Sequence, residues 1–195
     1  FAFGLAAIAA ANLRVGQTLS DDEIARLQEK DDVERACEHA LNFLSYRPRS
    51  EAEVRRNLRE KDIGDEVIQA VIERLTRAGL LDDHEFARYW IENRLAFNPR
   101  GPRALRHELR QKGVSDAVAA EALTGFNEEA VARKAAESAA RRLARLEPAD
   151  FHRRLGAYLA RRGFSYAVIE PLVEEMLETV CCGTLFHTGS EEQDE

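Results

Sequence analysis

A chain of 195 residues, 45% hydrophobic and 32% charged, has the make-up of a globular protein with a somewhat enlarged charged surface. No apolar run approaches the ~18–20 residues that a membrane-crossing helix needs, and three cysteines do not make a disulfide framework. The net charge of −7 is uneven: residues 1–33 and 179–195 hold all of the excess acid, and the region between them balances 25 cations against 25 acids.

The opening stretch, Phe1 to Ala11, is apolar but has no basic region before it, and it reads as the tail of an element, not as a signal peptide. Arg14 to Lys30 follows as a turn and a short helix capped by Ser20. From there the chain repeats. The apolar series Val54, Leu58, Ile63, Val67, Val71, Ile72, Leu75 returns 51 residues later as Leu105, Leu109, Val114, Val118, Ala122, Leu123, Phe126. It returns again, shifted by 50, as Leu155, Leu159, Phe164, Val168, Leu172, Val173, Met176. Gapless recurrence at such a period is the mark of a repeat architecture.

Within each repeat the apolar residues recur every three or four positions, the stripe of an amphipathic helix, and no stretch alternates long enough for a strand. Three helices per repeat are predicted. In the first repeat they are a helix over about Val33 to Ser45, a second opened by the capping box Ser50/Glu53 and ended at Asp62, and a third beginning after Gly64. Asp62 stands where the later repeats have Gly113 and Gly163, a position that wants a left-handed backbone. In the second repeat the first helix starts at Asp82, and Pro102 takes the favoured first position of the second helix. In the third, the first helix spans about Asn127 to Leu146, and Pro148 and Asp150 start the next. Ser115 and Ser165 cap the third helices, and Pro171 falls inside the last one. The expected fold is all-α: an elongated, curved array of three tandem three-helix repeats over 33–81, 82–126 and 127–179. A short partial N-terminal segment, 1–32, precedes it, and an acidic, disordered tail, 180–195, follows.

Charge separates by helix type. The second helices, over 49–62, 100–112 and 150–162, carry +1, +4 and +3, while the third helices carry −1, −2 and −4. Cations also repeat in register: Arg55 with Arg106, Arg59 with Arg110, Arg103 with Arg153, and Lys61 with Lys112 and Arg162. Stacked with their second helices on one side, the repeats would present a basic face comprising Arg47, Arg49, Arg55, Arg59, Arg100, Arg103, Arg106, Arg110, Lys112, Arg153, Arg154 and Arg161. Such a face suits a polyanion or an acidic protein surface. Solvation of outer helix faces is the competing explanation. The negative total charge favours a partner already carrying DNA over tight binding to naked DNA.

Catalytic signatures are missing. There is no phosphate-cradling glycine loop, no His-Glu-x-x-His and no Cys-x-x-Cys. Cys181, Cys182 and His187 could be drawn as a metal site, but their spacing is poor, and no metal, cofactor or catalytic residue is assigned. Phe86, Tyr89, Trp90 and Phe97 are expected to pack between helices, with a base-stacking platform as the alternative.

Several strings resemble the RecX family, regulatory proteins of the recombinase RecA: Ala40-Leu41-Asn42-Phe43-Leu44-Ser45-Tyr46-Arg47-Pro48-Arg49-Ser50-Glu51, and Gly79-Leu80-Leu81-Asp82-Asp83 with Phe86-Ala87 and Trp90. So do Pro99-Arg100-Gly101 leading to Glu108-Leu109-Arg110-Gln111-Lys112-Gly113, and Tyr158-Leu159-Ala160-Arg161-Arg162-Gly163-Phe164. The resemblance spans about residues 13–178. It implies a non-enzymatic, cytoplasmic modulator of homologous recombination, DNA repair and the SOS response. Such a protein binds RecA–DNA filaments, with single-stranded DNA within or beside the filament, and restrains ATP hydrolysis and strand exchange or promotes filament disassembly. A monomer without cofactors is expected. A stand-alone nucleic-acid-binding repeat protein and a helical adaptor for another protein remain open readings. Asp62 and the Cys181–Glu195 tail depart from the family's pattern.

Overall fold

The computed structural model describes residues 16–181, and among them every regular element is a helix. The helices are α1 (Asp21–Leu44), α2 (Glu51–Arg59), α3 (Asp65–Arg77), α4 (Asp83–Phe97), α5 (Pro102–Gln111), α6 (Asp116–Ala122), α7 (Glu128–Leu143), α8 (Pro148–Arg161) and α9 (Tyr166–Cys181). None of them is long and apolar enough to cross a membrane. Residues 182–195, with the greater part of the expected acidic tail and with Cys182 and His187, lie outside the described residues, as does the apolar stretch 1–15.

The chain divides into two compact units. The first comprises residues 16–86 with Lys112–Val114. Its α1 corrects an expectation: the short helix capped by Ser20 and the first repeat helix are one continuous helix of 24 residues. Ser20 and Glu23 form the complete capping box that starts it. No glycine or proline lies between Asp21 and Leu44, so nothing interrupts the i→i−4 hydrogen bonding across the supposed boundary. Ala36, Cys37 and Ala40 of α1 meet Val54 and Leu58 of α2 and Ile68, Val71, Ile72 and Leu75 of α3 in one core, all buried. Ser50 and Glu53 form the predicted capping box of α2, and Asp62 takes the predicted left-handed conformation, φ 59°.

The second unit holds residues 87–111 and 115–181. Its largest core lies among α7, α8 and α9. Five alanines of α7 (Ala132, Ala135, Ala136, Ala139, Ala140) are buried there against Phe151, Leu155 and Leu159 of α8 and Leu172, Val173 and Met176 of α9. Small side chains on α7 let the two neighbouring helices approach closely enough for the larger residues to interdigitate. Pro102 and Pro148 each open a helix, as their position predicts, and Pro171 sits inside α9.

One joint occurs in each unit. In the first, Ser50 Oγ donates to the carbonyl of Lys112 at 2.5 Å, and a β-carbon on Gly113 would overlap that of Ala52. In the second, the amide of Gly101, register-equivalent to Ser50, donates to the carbonyl of Arg162 at 2.9 Å. There Gly101 and Gly163 are so close that a β-carbon on Gly101 would stand 2.6 Å from the amide nitrogen of Phe164. The start of one repeat's second helix thus rests on the end of the next repeat's second helix. Gly113 and Gly163 must be glycine for two reasons: φ of 81° and 84°, and no room for a side chain. Asp62, at the same position of the first repeat, is exposed. It meets only the conformational demand, which aspartate tolerates.

Candidate functional site

The basic second helices are α2, α5 and α8, and their cations fall into two groups. On α5, Leu105 and Leu109 are fully buried, so the opposite face carries Arg103, Arg106, His107 and Arg110 into solvent. Arg110 lies 3.4 Å from Asp116, both well exposed, while Arg103 and Arg106 have no acidic partner among the described residues. The Arg110–Asp116 pair recurs in the first unit as Arg59–Asp65 at 3.0 Å. Exposed pairs of this kind hold their cations loosely. On α8, Arg153, Arg154 and Arg161 are exposed, with Arg153 held by Asp150 at 2.7 Å. The Arg153 guanidinium, bonded to the Asp150 carboxylate, keeps that carboxyl below its ordinary range.

Five residues expected on the basic face are half-buried and make internal contacts. Arg47 and Lys112 both grip the buried Glu53, at 3.0 and 2.8 Å. Burial alone would raise the Glu53 pKa, but hydrogen bonds from Arg47 and Lys112 outweigh it and bring the carboxyl down to about 2. Arg49 stacks its guanidinium over Phe43, 4.0 Å from the ring centroid. Arg55 donates to Glu51 and Gln69, both at 2.7 Å. Arg100 turns toward Glu108, 3.6 Å away. Glu108 also accepts from Trp90 Nε1 at 2.9 Å and Arg94 Nε at 2.7 Å, which makes it the hub between α4 and α5. The register cation Arg162 likewise looks inward, donating to Asn98 Oδ1 and the Pro99 carbonyl and stacking on Tyr158. A helix-face count does not show these contacts, because most of them come from a second element: a turn, a ring or a neighbouring helix, with Glu51 on the same helix an added partner of Arg55.

The aromatic residues also divide. Phe86 is buried and Trp90 half-buried, consistent with packing, but Phe97 is 83% exposed. Phe97 is the last residue of α4, past the end of the packed face, and its register equivalent Tyr46 is 81% exposed in the same turn of the first repeat. Among the described residues no cluster of three His, Cys, Asp or Glu side chains could hold a metal ion. Cys37 is buried, which pushes its thiol pKa up and away from reactivity.

Sequence reasoning missed Arg142. It sits in the last turn of α7 with Arg141, and Arg145 lies just beyond, so the run reads as a favourable match to the helix dipole. In the structure Arg142 faces the α8 arginines across a cavity of about 400 Å³ lined by Ala139, Leu143, Arg153, Arg154, Tyr158 and Arg161. The two-arginine run was the available signal.

Comparison with known proteins places these elements. The family descriptions "RecX, first three-helix domain", "RecX, second three-helix domain" and "RecX, third three-helix domain" match residues 36–75, 82–123 and 127–173. A protein of Prosthecochloris aestuarii described as Regulatory protein RecX is 37% identical over 148 residues, covering 75% of this chain and 96% of its own. One from Thermobifida fusca is 41% identical over 150 residues, covering 74% and 80%. The Bacillus subtilis protein of the same description is 35% identical over 167 residues, covering 84% of this chain. This chain spans just under two thirds of that relative's length, 63%. A crystal structure of regulatory protein RecX superposes with a TM-score of 0.77 at 26% identity over 89% of both chains. The structure of RecX from Lactobacillus salivarius gives 0.68 at 27% identity, over 75% of this chain and 97% of its own. With all three domains matched in order and an all-helical fold to carry them, the chain belongs to the RecX family of regulatory proteins.

Proposed function

We propose that this protein is a non-enzymatic regulator of homologous recombination that binds the RecA–DNA filament and inhibits its ATP hydrolysis and strand exchange. The observation that carries the reading is the α5 ridge in a chain of this family: Arg103 and Arg106 stand in solvent without acidic partners among the described residues, and Arg110 has only an exposed one. Guanidinium groups held this way are available to acidic protein surfaces and to phosphates, and they cost little to detach from their present contacts. The protein acts where RecA and DNA are found, in the cytoplasm, without a cofactor.

RecA's DNA-dependent ATPase, measured with wild-type protein and with the R103E/R106E/R110E variant, tests this. Wild-type protein lowers the rate and the triple variant loses most of that effect. Undiminished inhibition by the variant removes the ridge from the mechanism, and no inhibition by wild type removes the reading.

A further inference from the structure

The cavity between α7 and α8 has a construction that the α5 ridge lacks. Its rim is cationic on both sides: Arg142 from α7, and Arg153, Arg154 and Arg161 from α8. Its floor is apolar, made by the buried Ala139 and the half-buried Leu143, with the exposed Ala157 at its edge and the Tyr158 ring, on one face of which Arg162 stacks, beside them. The helical pattern explains the arrangement. Phe151, Leu155 and Leu159 turn into the core, so positions 153, 154, 157, 158 and 161 form the adjoining stripe of α8, facing the last turn of α7. Of the four arginines only Arg153 forms an ion pair, with Asp150. Arg154 also acts on Asp150 through its charge, without an ion-pair contact, and Arg142 and Arg161 have no acidic partner among the described residues.

Four guanidinium groups line this one cavity, and Asp150, which acts on Arg153 and Arg154, is the one carboxylate the described residues set against them. An anion relieves their mutual repulsion, and guanidinium forks match the paired oxygens of a phosphate. The apolar floor and the tyrosine distinguish the ligand further. A carboxylate side chain of an acidic peptide would use the rim and leave the floor unoccupied. A nucleotide uses both, its phosphates on the arginines and its base against the ring and the alanines. A volume of about 400 Å³ lies within the range of small-ligand pockets, enough for a single nucleotide but not for a stiff duplex. A flexible strand can lower one nucleotide into it while its neighbouring phosphates reach the exposed rim.

From this we infer that the α7–α8 cavity is a phosphate-binding pocket that holds one nucleotide of a single strand, with Arg142 and Arg154 as its principal phosphate ligands. The inference goes beyond the proposed function, which concerns a protein filament and α5. It requires nucleic acid held directly by the third repeat, whether or not RecA is present.

The test uses the 195-residue protein and fluorescein-labelled oligothymidylate, without RecA, with affinity measured across a salt series. R142E/R154E is expected to weaken binding at least roughly tenfold, and to reduce the salt slope by about 0.7 for each phosphate that is no longer neutralised. R142K/R154K keeps the charge but not the fork, and falls between the two. R56E, on the exposed face of α2, leaves the affinity unchanged. Far-UV circular dichroism checks that each variant is folded. Unchanged oligothymidylate affinity in R142E/R154E overturns the pocket, as does displacement of the oligonucleotide by polyglutamate at equal charge. RecA ATPase run in parallel keeps the two ideas apart. Loss of oligonucleotide binding with inhibition retained supports the pocket and leaves the filament reading intact. Wild-type binding without any ATPase effect ends only the filament reading.

Discussion

The backbone of Ala104 lies so close to Gly163 that a β-carbon on the glycine would stand 2.6 Å from that of Ala104. With φ at 84°, Gly163 is the one residue type that can make this joint. Gly163→Ala therefore adds left-handed strain of about 1–2 kcal/mol to an overpacking cost of about 1–3 kcal/mol. Urea denaturation should show a destabilisation of about 2–5 kcal/mol, the sum of the two. Gly113→Ala, whose clash is with the Ala52 side chain, should recover part of its stability in an A52G/G113A double variant, but not the backbone part. Asp62→Gly, which meets only the conformational demand, should stabilise by a few tenths to about 1 kcal/mol. A destabilisation there would mean that Asp62 does more than adopt the left-handed conformation.

Glu53 predicts a pH dependence. Its folded pKa, about 2, lies below the ordinary 4.5, so the unfolded chain binds its proton more readily. The stability it contributes is complete above the unfolded value and is lost as pH falls from about 5 toward 2. The shift corresponds to an upper bound of about 3 kcal/mol. Urea unfolding of wild type and Glu53→Gln should differ most at neutral pH, with the difference shrinking steadily through pH ~3. A constant difference would mean that the ionised carboxylate is not what holds Arg47 and Lys112.

Cations with the same apparent place on a helix wheel should separate by stability. Lys112→Ala removes a part-buried donor from Glu53 and should cost about 1–3 kcal/mol. Arg106→Ala, exposed and without an acidic partner among the described residues, should stay within about 0.5 kcal/mol. Thermal melts of the two variants suffice. Equal effects would erase the distinction between joint and surface cations.

Glu108 joins α4 to α5 by accepting from Trp90, the only tryptophan, and from Arg94. Glu108→Ala leaves both donors without this acceptor and Arg100 without its ion-pair partner, and should cost about 1–3 kcal/mol. It should also change the intrinsic fluorescence, since indole emission follows the polarity around Nε1. Unaltered emission would place Trp90 outside this contact.

The helices and their order were legible in the residues because helix formation is local. Ser50/Glu53, Pro102, Pro148 and the left-handed positions 62, 113 and 163 each act within a few residues of their own backbone. The break between two helices expected near residue 31 does not occur, because a repeat edge need not be a helix edge and no residue there breaks a helix. The basic face was only partly legible. Arg103, Arg106, Arg110, Arg153, Arg154 and Arg161 are exposed as the helix periodicity requires. Arg47, Arg49, Arg100 and Lys112 are engaged by residues outside their own helical turn, and Arg55 by Glu51 on its own helix and Gln69 on the next.

Three repeats of three helices with basic second helices could be read from the residues alone, because periodicity, caps and composition are properties of neighbouring residues. Which of those cations remain available is set by the packing of distant elements. Whether an arginine or lysine meets a carboxylate, a ring or water depends on other elements, often tens of residues away: Lys112 on Glu53, Arg162 on Asn98, and Arg142 across from Arg154.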